Sequence, residues 1–254
     1  MTDRSGSQFA RRVGFWGLLP LVAAQGLWVR RRAPRFADAA GPRRGTVGAG
    51  PPLRLLAFGD SIVAGVGAPT LDQALVGRFA GALASRAGRT VEWVAVGQTG
   101  ARSADLLDSL LARVPPGPFD VVVVSVGVND VTGLVRTRDW VHRIDAVIAG
   151  LRAHSPDARI LMAGLPPLWG FPLLPQPLRF VFGLRARTLD RLLERVVAGR
   201  GDCRYLPTRF EPSPEKFSAD GYHPSTESYR VWGEQLAEVV VEAGPVGAVN
   251  LSSR

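Results

Sequence analysis

The sequence predicts an α/β fold, a parallel sheet with helices packed on both faces. Three observations point to it. Beyond residue 53, short apolar runs alternate with longer helical patterns about five times, and such alternation closes as parallel strands joined by right-handed crossovers. The run Val121-Val122-Val123-Val124 is β-branched with no polar alternation, the pattern of a central strand covered on both sides. Polar residues with reactive side chains collect just behind the apolar runs, where ligands sit in such sheets.

The strands are expected at Leu53–Phe58, Val91–Val96, Asp120–Val126 and Arg159–Leu165, with a weaker one at Arg204–Leu206. Helical spacing covers Leu71–Arg86, Ser103–Arg113, Arg138–Ala153, Arg179–Ala198 and Ser225–Glu242. The last of these places Tyr229, Trp232, Leu236 and Val239-Val240 three and four residues apart, one apolar face for the sheet. With 254 residues, 46% hydrophobic and 21% charged, the chain suffices for one well-buried domain and is not of disordered composition.

The net charge of +9 is unevenly spread. Residues 1–54 hold ten arginines and two aspartates, while the remainder is almost balanced. A nucleic-acid binder would carry its charge on the folded part, so that class is set aside. The chain instead divides into a basic arm, 1–35, a Gly/Pro/Ala-rich linker, 36–52, a folded domain, 53–243, and a flexible tail, 244–254. Within the arm, arginines flank an apolar run from Val13 to Val29. The expectation is a membrane association through residues 13–29, as an uncleaved anchor or interfacial helix. A cleaved signal ending near Val22-Ala23-Ala24, with secretion, and a soluble N-terminal helix are the alternatives. The arginine distribution leans slightly towards a cytoplasmic catalytic domain. The single cysteine, Cys203, excludes an internal disulfide and reads as a small core residue, and no Cys/His spacing suits a metal.

Behind the first strand come Gly59, Asp60 and Ser61. Taken alone, a serine at a strand-to-helix turn reads as a helix cap. Behind the second strand comes Gly97-Gln98-Thr99-Gly100, whose glycines can expose backbone N–H groups. Gly127-Val128-Asn129-Asp130 follows the third, and Asp220-Gly221-Tyr222-His223-Pro224 precedes the final helix. A hydroxyl, exposed amides and an Asp–His pair at one rim are the inventory of acyl transfer.

These four blocks, G-D-S-I-V-A-G, Q-T-G-A-R-S, G-V-N-D and D-G-Y-H-P, occur in the order and form of the SGNH (GDSL) hydrolase superfamily, which the sequence resembles from Gly59 to Pro224. The resemblance implies a three-layer α/β/α, flavodoxin-like sheet of about five parallel strands. It also implies Ser61 as nucleophile, His223 as base and Asp220 as its orienting acid. The oxyanion donors would be the N–H groups of Ser61 and Gly100 and the amide of Asn129. No cofactor or metal is required. The implied activity is a serine esterase or lipase-like acylhydrolase acting on a small-molecule or lipid ester. The same chemistry admits an O-acyltransferase or deacetylase for a sugar or lipid acyl group. A membrane-tethered, non-catalytic binding module is the reading from another class. The neighbouring Asp60 and Asp130 read as turn-bracing carboxylates, and His142 and His154 as surface residues. Leu165–Phe180, with five prolines, cannot be one regular helix. It reads either as a loop packed over the sheet edge or as an acyl-pocket wall contributed by Trp169, Phe171 and Leu173.

Overall fold

A computed structural model describes residues 20–29, 31, 37–201, 203–208 and 212–244. Six strands form one sheet: β1 (Arg44–Val47), β2 (Pro52–Gly59), β3 (Thr90–Gly97), β4 (Val121–Ser125), β5 (Arg159–Ala163) and β6 (Cys203–Leu206). Their spatial order is β1-β3-β2-β4-β5-β6, with β2 to β6 parallel and β1 antiparallel to β3. The chain thus builds outward from β2 in one direction and then from β2 in the other, which leaves a crevice at the switch.

The apolar runs explain the layers. Successive strand residues face opposite sides, so Val121 and Val123 join one core while Val122 and Val124 join the other. Helices α1 (Leu75–Ala87) and α6 (Thr226–Glu242) cover the first face. The other face is covered by a helical stretch and two long helices. The stretch opens as α2 (Ser103–Asp105), continues as a π-helical turn (Leu106–Leu110) and ends in a 3₁₀ turn (Leu111–Arg113). Helices α4 and α5 span Thr137–His154 and Leu178–Ala198, and a short helix, α3 (Val128–Thr132), follows β4 directly. The three-layer α/β/α expectation holds.

Two expectations need correcting. The stretch expected as a linker is part of the fold: Arg44–Val47 pairs with β3, Ala39 is buried and Ala40 bridges Thr70. Gly45 lies against the Trp93 ring, where a Cβ would come within 2.6 Å. The sheet therefore has six strands and is mixed. The expected membrane association of the N-terminal run is not supported either. Residues 13–19 lie outside the described residues, and 20–29 form a helix whose Val22 and Val29 pack on the core. Gln25 ties it down, donating to the Gln176 carbonyl (2.7 Å) and accepting from the Leu178 N–H (3.1 Å). Among the described residues no helix is long and apolar enough to cross a membrane. Residues 245–254, most of the expected tail, also lie outside the described residues.

At the crevice, Gly59 has φ +150° and sits so close to β4 that a Cβ would meet the Ser125 carbonyl oxygen at 1.9 Å. Backbone cannot yield there as a flexible side chain would. Gly59→Ala should lower the unfolding free energy by about 3 kcal/mol or more. Gly81→Ala, in α1 with nothing within 4 Å, should be neutral or stabilising by about 0.5–1 kcal/mol. Denaturant melts of the two variants check this contrast.

Candidate active site

The first strand of the crevice delivers the site. β2 ends at Gly59, the Asp60 N–H donates to the Ser125 carbonyl (3.0 Å), and the turn continues through Ser61 towards Ala64 and Val66. Ser61 Oγ lies 2.9 Å from His223 Nε2, and His223 Nδ1 lies 2.6 Å from Asp220 Oδ2. Three residues expected to meet therefore do meet, across 162 positions of sequence. Ser61 and Asp220 are buried.

The state of the carboxylate determines which nitrogen carries the proton. Burial pushes the Asp220 carboxyl up, but hydrogen bonds from the His223 side chain and N–H, the Tyr222 N–H and the Ser218 hydroxyl outweigh it and hold it at about 2. Ionised, it is acceptor-only. The neutral imidazole of His223 would then present Nδ1–H to Asp220 and a lone pair on Nε2 to the Ser61 hydroxyl.

On the other side of the serine, the Gln98 N–H donates to the Gly59 carbonyl (3.1 Å), seating the glycine loop against the turn that bears Ser61. Gly100 is left-handed, φ +82°. Among the described residues, neither the Ser61 N–H nor the Gly100 N–H has an acceptor. The Asn129 amide donates one hydrogen to the Ala101 carbonyl (3.0 Å), which leaves its second hydrogen available. Asp130, fully buried, accepts from both the N–H (3.0 Å) and the hydroxyl (2.6 Å) of Ser103. The segments carrying Gly100 and Asn129 are thus fastened to each other.

Beside Ser61 opens a cavity of about 100 Å³, mostly apolar. Phe171, Phe217, Tyr222, Val128, Val231 and Trp232 form much of its wall. Phe171 meets Tyr222 and Phe217 edge-on, with ring centroids 5.2 and 5.1 Å apart. Of the three pocket residues expected from the proline-rich stretch, only Phe171 lines the cavity. Trp169 does not: it is 46% exposed, on a 3₁₀ turn whose backbone lies against Gly183. Nor does Leu173, whose N–H instead donates to the Gly221 carbonyl (3.1 Å) and props the loop holding His223. The stretch is both a packed edge, through Leu168, Leu174 and Leu178, and a wall. Gly100 and Asn129 stand outside the cavity lining. The sequence reading did not anticipate Ser125, Phe217, Tyr222 and Lys216 in that lining. For Lys216 a signal was present, because it is the chain's one lysine. Among the described residues there is no cluster suited to a metal. His142 is exposed as expected, His154 stacks on Phe119, and Cys203 is buried.

A doubly wound sheet with a Ser–His–Asp chain at the carboxyl ends of its strands is the architecture of the SGNH class. Residues 57–231 match the GDSL-like lipase/acylhydrolase family, and the chain belongs to that family. The GDSL-like esterase Rv1075c of Mycobacterium tuberculosis is 27% identical over 251 residues, spanning 91% of this chain and 79% of that protein. Among solved structures, the lipase Lip_vut3 from a goat rumen metagenome superposes with TM-score 0.60 at 18% identity, over 76% of this chain and 97% of that one. A lipase/acylhydrolase from Enterococcus faecalis gives TM-score 0.57, also at 18% identity, over 78% of this chain and 100% of that one. At such identities these two show a shared fold.

The buried Asp60 has an electrostatic consequence. Desolvation dominates and pushes its carboxyl from 3.8 up to about 6, against the opposing bonds from the Ile62 N–H (3.1 Å) and the Ser125 hydroxyl (3.2 Å). The folded value exceeds the unfolded one, so the folded chain holds this proton more tightly. Ionised Asp60 therefore costs stability, with the cost growing from pH 4 to pH 6 and constant above. Both bonds go to Oδ1, which an asparagine oxygen can replace. Asp60→Asn should stabilise the protein at pH 7.5 by up to about 3 kcal/mol and bring no gain at pH 4. Thermal melts at the two pH values read the difference.

Proposed function

We propose that the protein is a serine esterase that cleaves carboxylic esters through an acyl-enzyme on Ser61. The observation that carries this reading is the unbroken chain from Ser61 Oγ through His223 to Asp220, at 2.9 and 2.6 Å. As Ser61 Oγ attacks the ester carbonyl, its proton passes to His223 Nε2, and the ionised Asp220 stabilises the imidazolium. The tetrahedral oxyanion is met by the N–H groups of Ser61 and Gly100 and by the second hydrogen of the Asn129 amide. His223 then returns the proton to the departing alcohol, leaving the acyl group on Ser61. Water, activated by the same imidazole, releases the acid. Each donor of this kind is worth roughly 100–1000-fold in rate.

Two expected outcomes test the reading. Ser61→Ala should abolish both turnover of p-nitrophenyl esters and covalent labelling by a fluorophosphonate, with thermal stability within a few degrees of wild type. Turnover retained by that variant would sink the assignment.

The cavity wall is the natural seat for an acyl chain, being apolar and adjacent to the nucleophile. Phe171→Ala should then raise KM for hexanoate or octanoate esters several-fold more than for acetate esters, since each methylene buried is worth about 0.8 kcal/mol. Trp169→Ala should leave the chain-length profile unchanged. A profile that responds equally to both substitutions would remove the acyl chain from this cavity.

A further inference from the structure

The chain holds thirty arginines and one lysine, and that lysine shares the cavity lining with Ser61. Its backbone is pinned on two sides. The Lys216 N–H donates to the Ser213 carbonyl (2.9 Å), while its own carbonyl accepts from the Ser225 N–H (2.9 Å) and the Ser228 hydroxyl (2.8 Å), at the start of α6. The side chain is half-buried, and among the described residues no carboxylate lies within ion-pair distance of the ammonium. Two acids near enough to feel its charge, Glu215 and Glu227, are engaged elsewhere. Glu215 accepts from the Ser213 hydroxyl, and Glu227 is paired with Arg230 at 2.6 Å.

A cation in the wall of the cavity, with no described carboxylate in ion-pair contact, favours a ligand of negative charge. Lysine suits the position chemically. Its methylene stem can lie along the apolar wall while a compact ammonium offers three donors. Gln235 and Thr208, in the same lining, add neutral hydrogen-bonding groups. Asp60 also lines the cavity and opposes an anion close to Ser61. The favoured ligand therefore carries its charge towards Lys216 and its ester towards Ser61.

We propose that Lys216 is a specificity-determining residue, recognising a carboxylate or phosphate on the ester that Ser61 cleaves. The proposal rests on the esterase reading above.

The test compares the full-length wild type with Lys216→Gln and Lys216→Arg on pairs of esters that differ in charge alone. One pair carries the charge on the alcohol side, 4-acetoxybenzoate against 4-acetoxybenzamide, with 4-acetoxyphenyl phosphate as the phosphate arm. The other carries it on the acyl side, p-nitrophenyl monoadipate against p-nitrophenyl hexanoate. In at least one pair, Lys216→Gln should lower the anionic-to-neutral ratio of kcat/KM about tenfold, mainly through KM. Lys216→Arg should recover part of it, and 0.5 M salt should erode the wild-type preference. A ratio that Lys216→Gln leaves unaltered in both pairs and in the phosphate arm overturns the proposal. A binding measurement needs no turnover. Because Lys216 is the one lysine, an amine-directed acylating reagent reports on it unambiguously by peptide mass, and adipate or inorganic phosphate should slow its modification. Protection by neither anion also counts against the proposal. Loss of the esterase reading is recognised separately, by turnover that survives Ser61→Ala.

Discussion

Everything at the crevice depends on three strands ending at one level. Gly59 pairs with Gly97 on one side and with Ser125 on the other. Parallel register fixes this alignment through the whole ladder, because a slip of one residue would exchange the two faces of β2. With the ends level, the chain leaving β2 can be tied at once to both neighbours: Asp60 N–H to the Ser125 carbonyl, and Gln98 N–H to the Gly59 carbonyl. The turn bearing Ser61 is therefore held from two directions before any side chain acts. Gly59 is the point where this level arrangement is tightest, since β4 leaves no volume for a methyl group.

Three buried aspartates around the serine show how one residue type takes different roles from its surroundings. Asp220 collects bonds from two backbone N–H groups, a hydroxyl and an imidazole, and stays ionised. Asp60 is more deeply desolvated and less well supplied, so burial prevails and raises its pKa. Asp130 is raised too, again by burial, with Ser103 opposing. The carboxylate with four donors is lowered, while the two that are supplied with fewer are raised by burial. This contrast also explains why an acid adjacent to Ser61 in sequence is no candidate for orienting the imidazole: its oxygen is committed to the turn and to β4.

The strands, the covering helices and the Ser61–His223–Asp220 meeting were legible in the sequence, because each rests on local pattern or on short blocks. β2 to β6 lie within a residue or two of the apolar runs that announced them. β1 was not legible. Four residues, R-G-T-V, in a Gly/Pro/Arg setting carry no strand signal of their own; they are ordered by the open edge of β3 and by Trp93 over Gly45. The proline-rich stretch shows the same limit at the level of side chains. Its composition gave large apolar groups near the rim, but the 3₁₀ turn at Leu168–Gly170 decides that Phe171 points into the cavity and Trp169 does not. The Ser103–Arg113 stretch is helical as its spacing indicates, with a π-helical middle that spacing does not reveal and whose Leu106 and Leu110 sit in the core.

Because Asp220 and His223 belong to one loop, their mutual geometry is set locally, reinforced by the bridge between Phe217 and Pro224 and by the Ser218 N–H on the His223 carbonyl (2.8 Å). What must be controlled over a long range is the single gap between that loop and Ser61. Three close contacts control it. Pro224 lies against Gly67, where a Cβ would meet its carbonyl oxygen at 2.5 Å. The Tyr229 hydroxyl donates to the Val66 carbonyl (2.7 Å), linking α6 to the end of the turn that bears Ser61. Gly233 brings α6 so near to α1 that a Cβ would stand 2.7 Å from the Phe79 nitrogen. Each contact joins a residue after His223 to a residue after Ser61, and none involves either of those two side chains. A site assembled this way depends over long range on one coordinate, the approach of α6 to α1. The same helix contributes Val231 and Trp232 to the cavity wall, so the packing that sets the Ser61–His223 distance also sets the width of the space beside it.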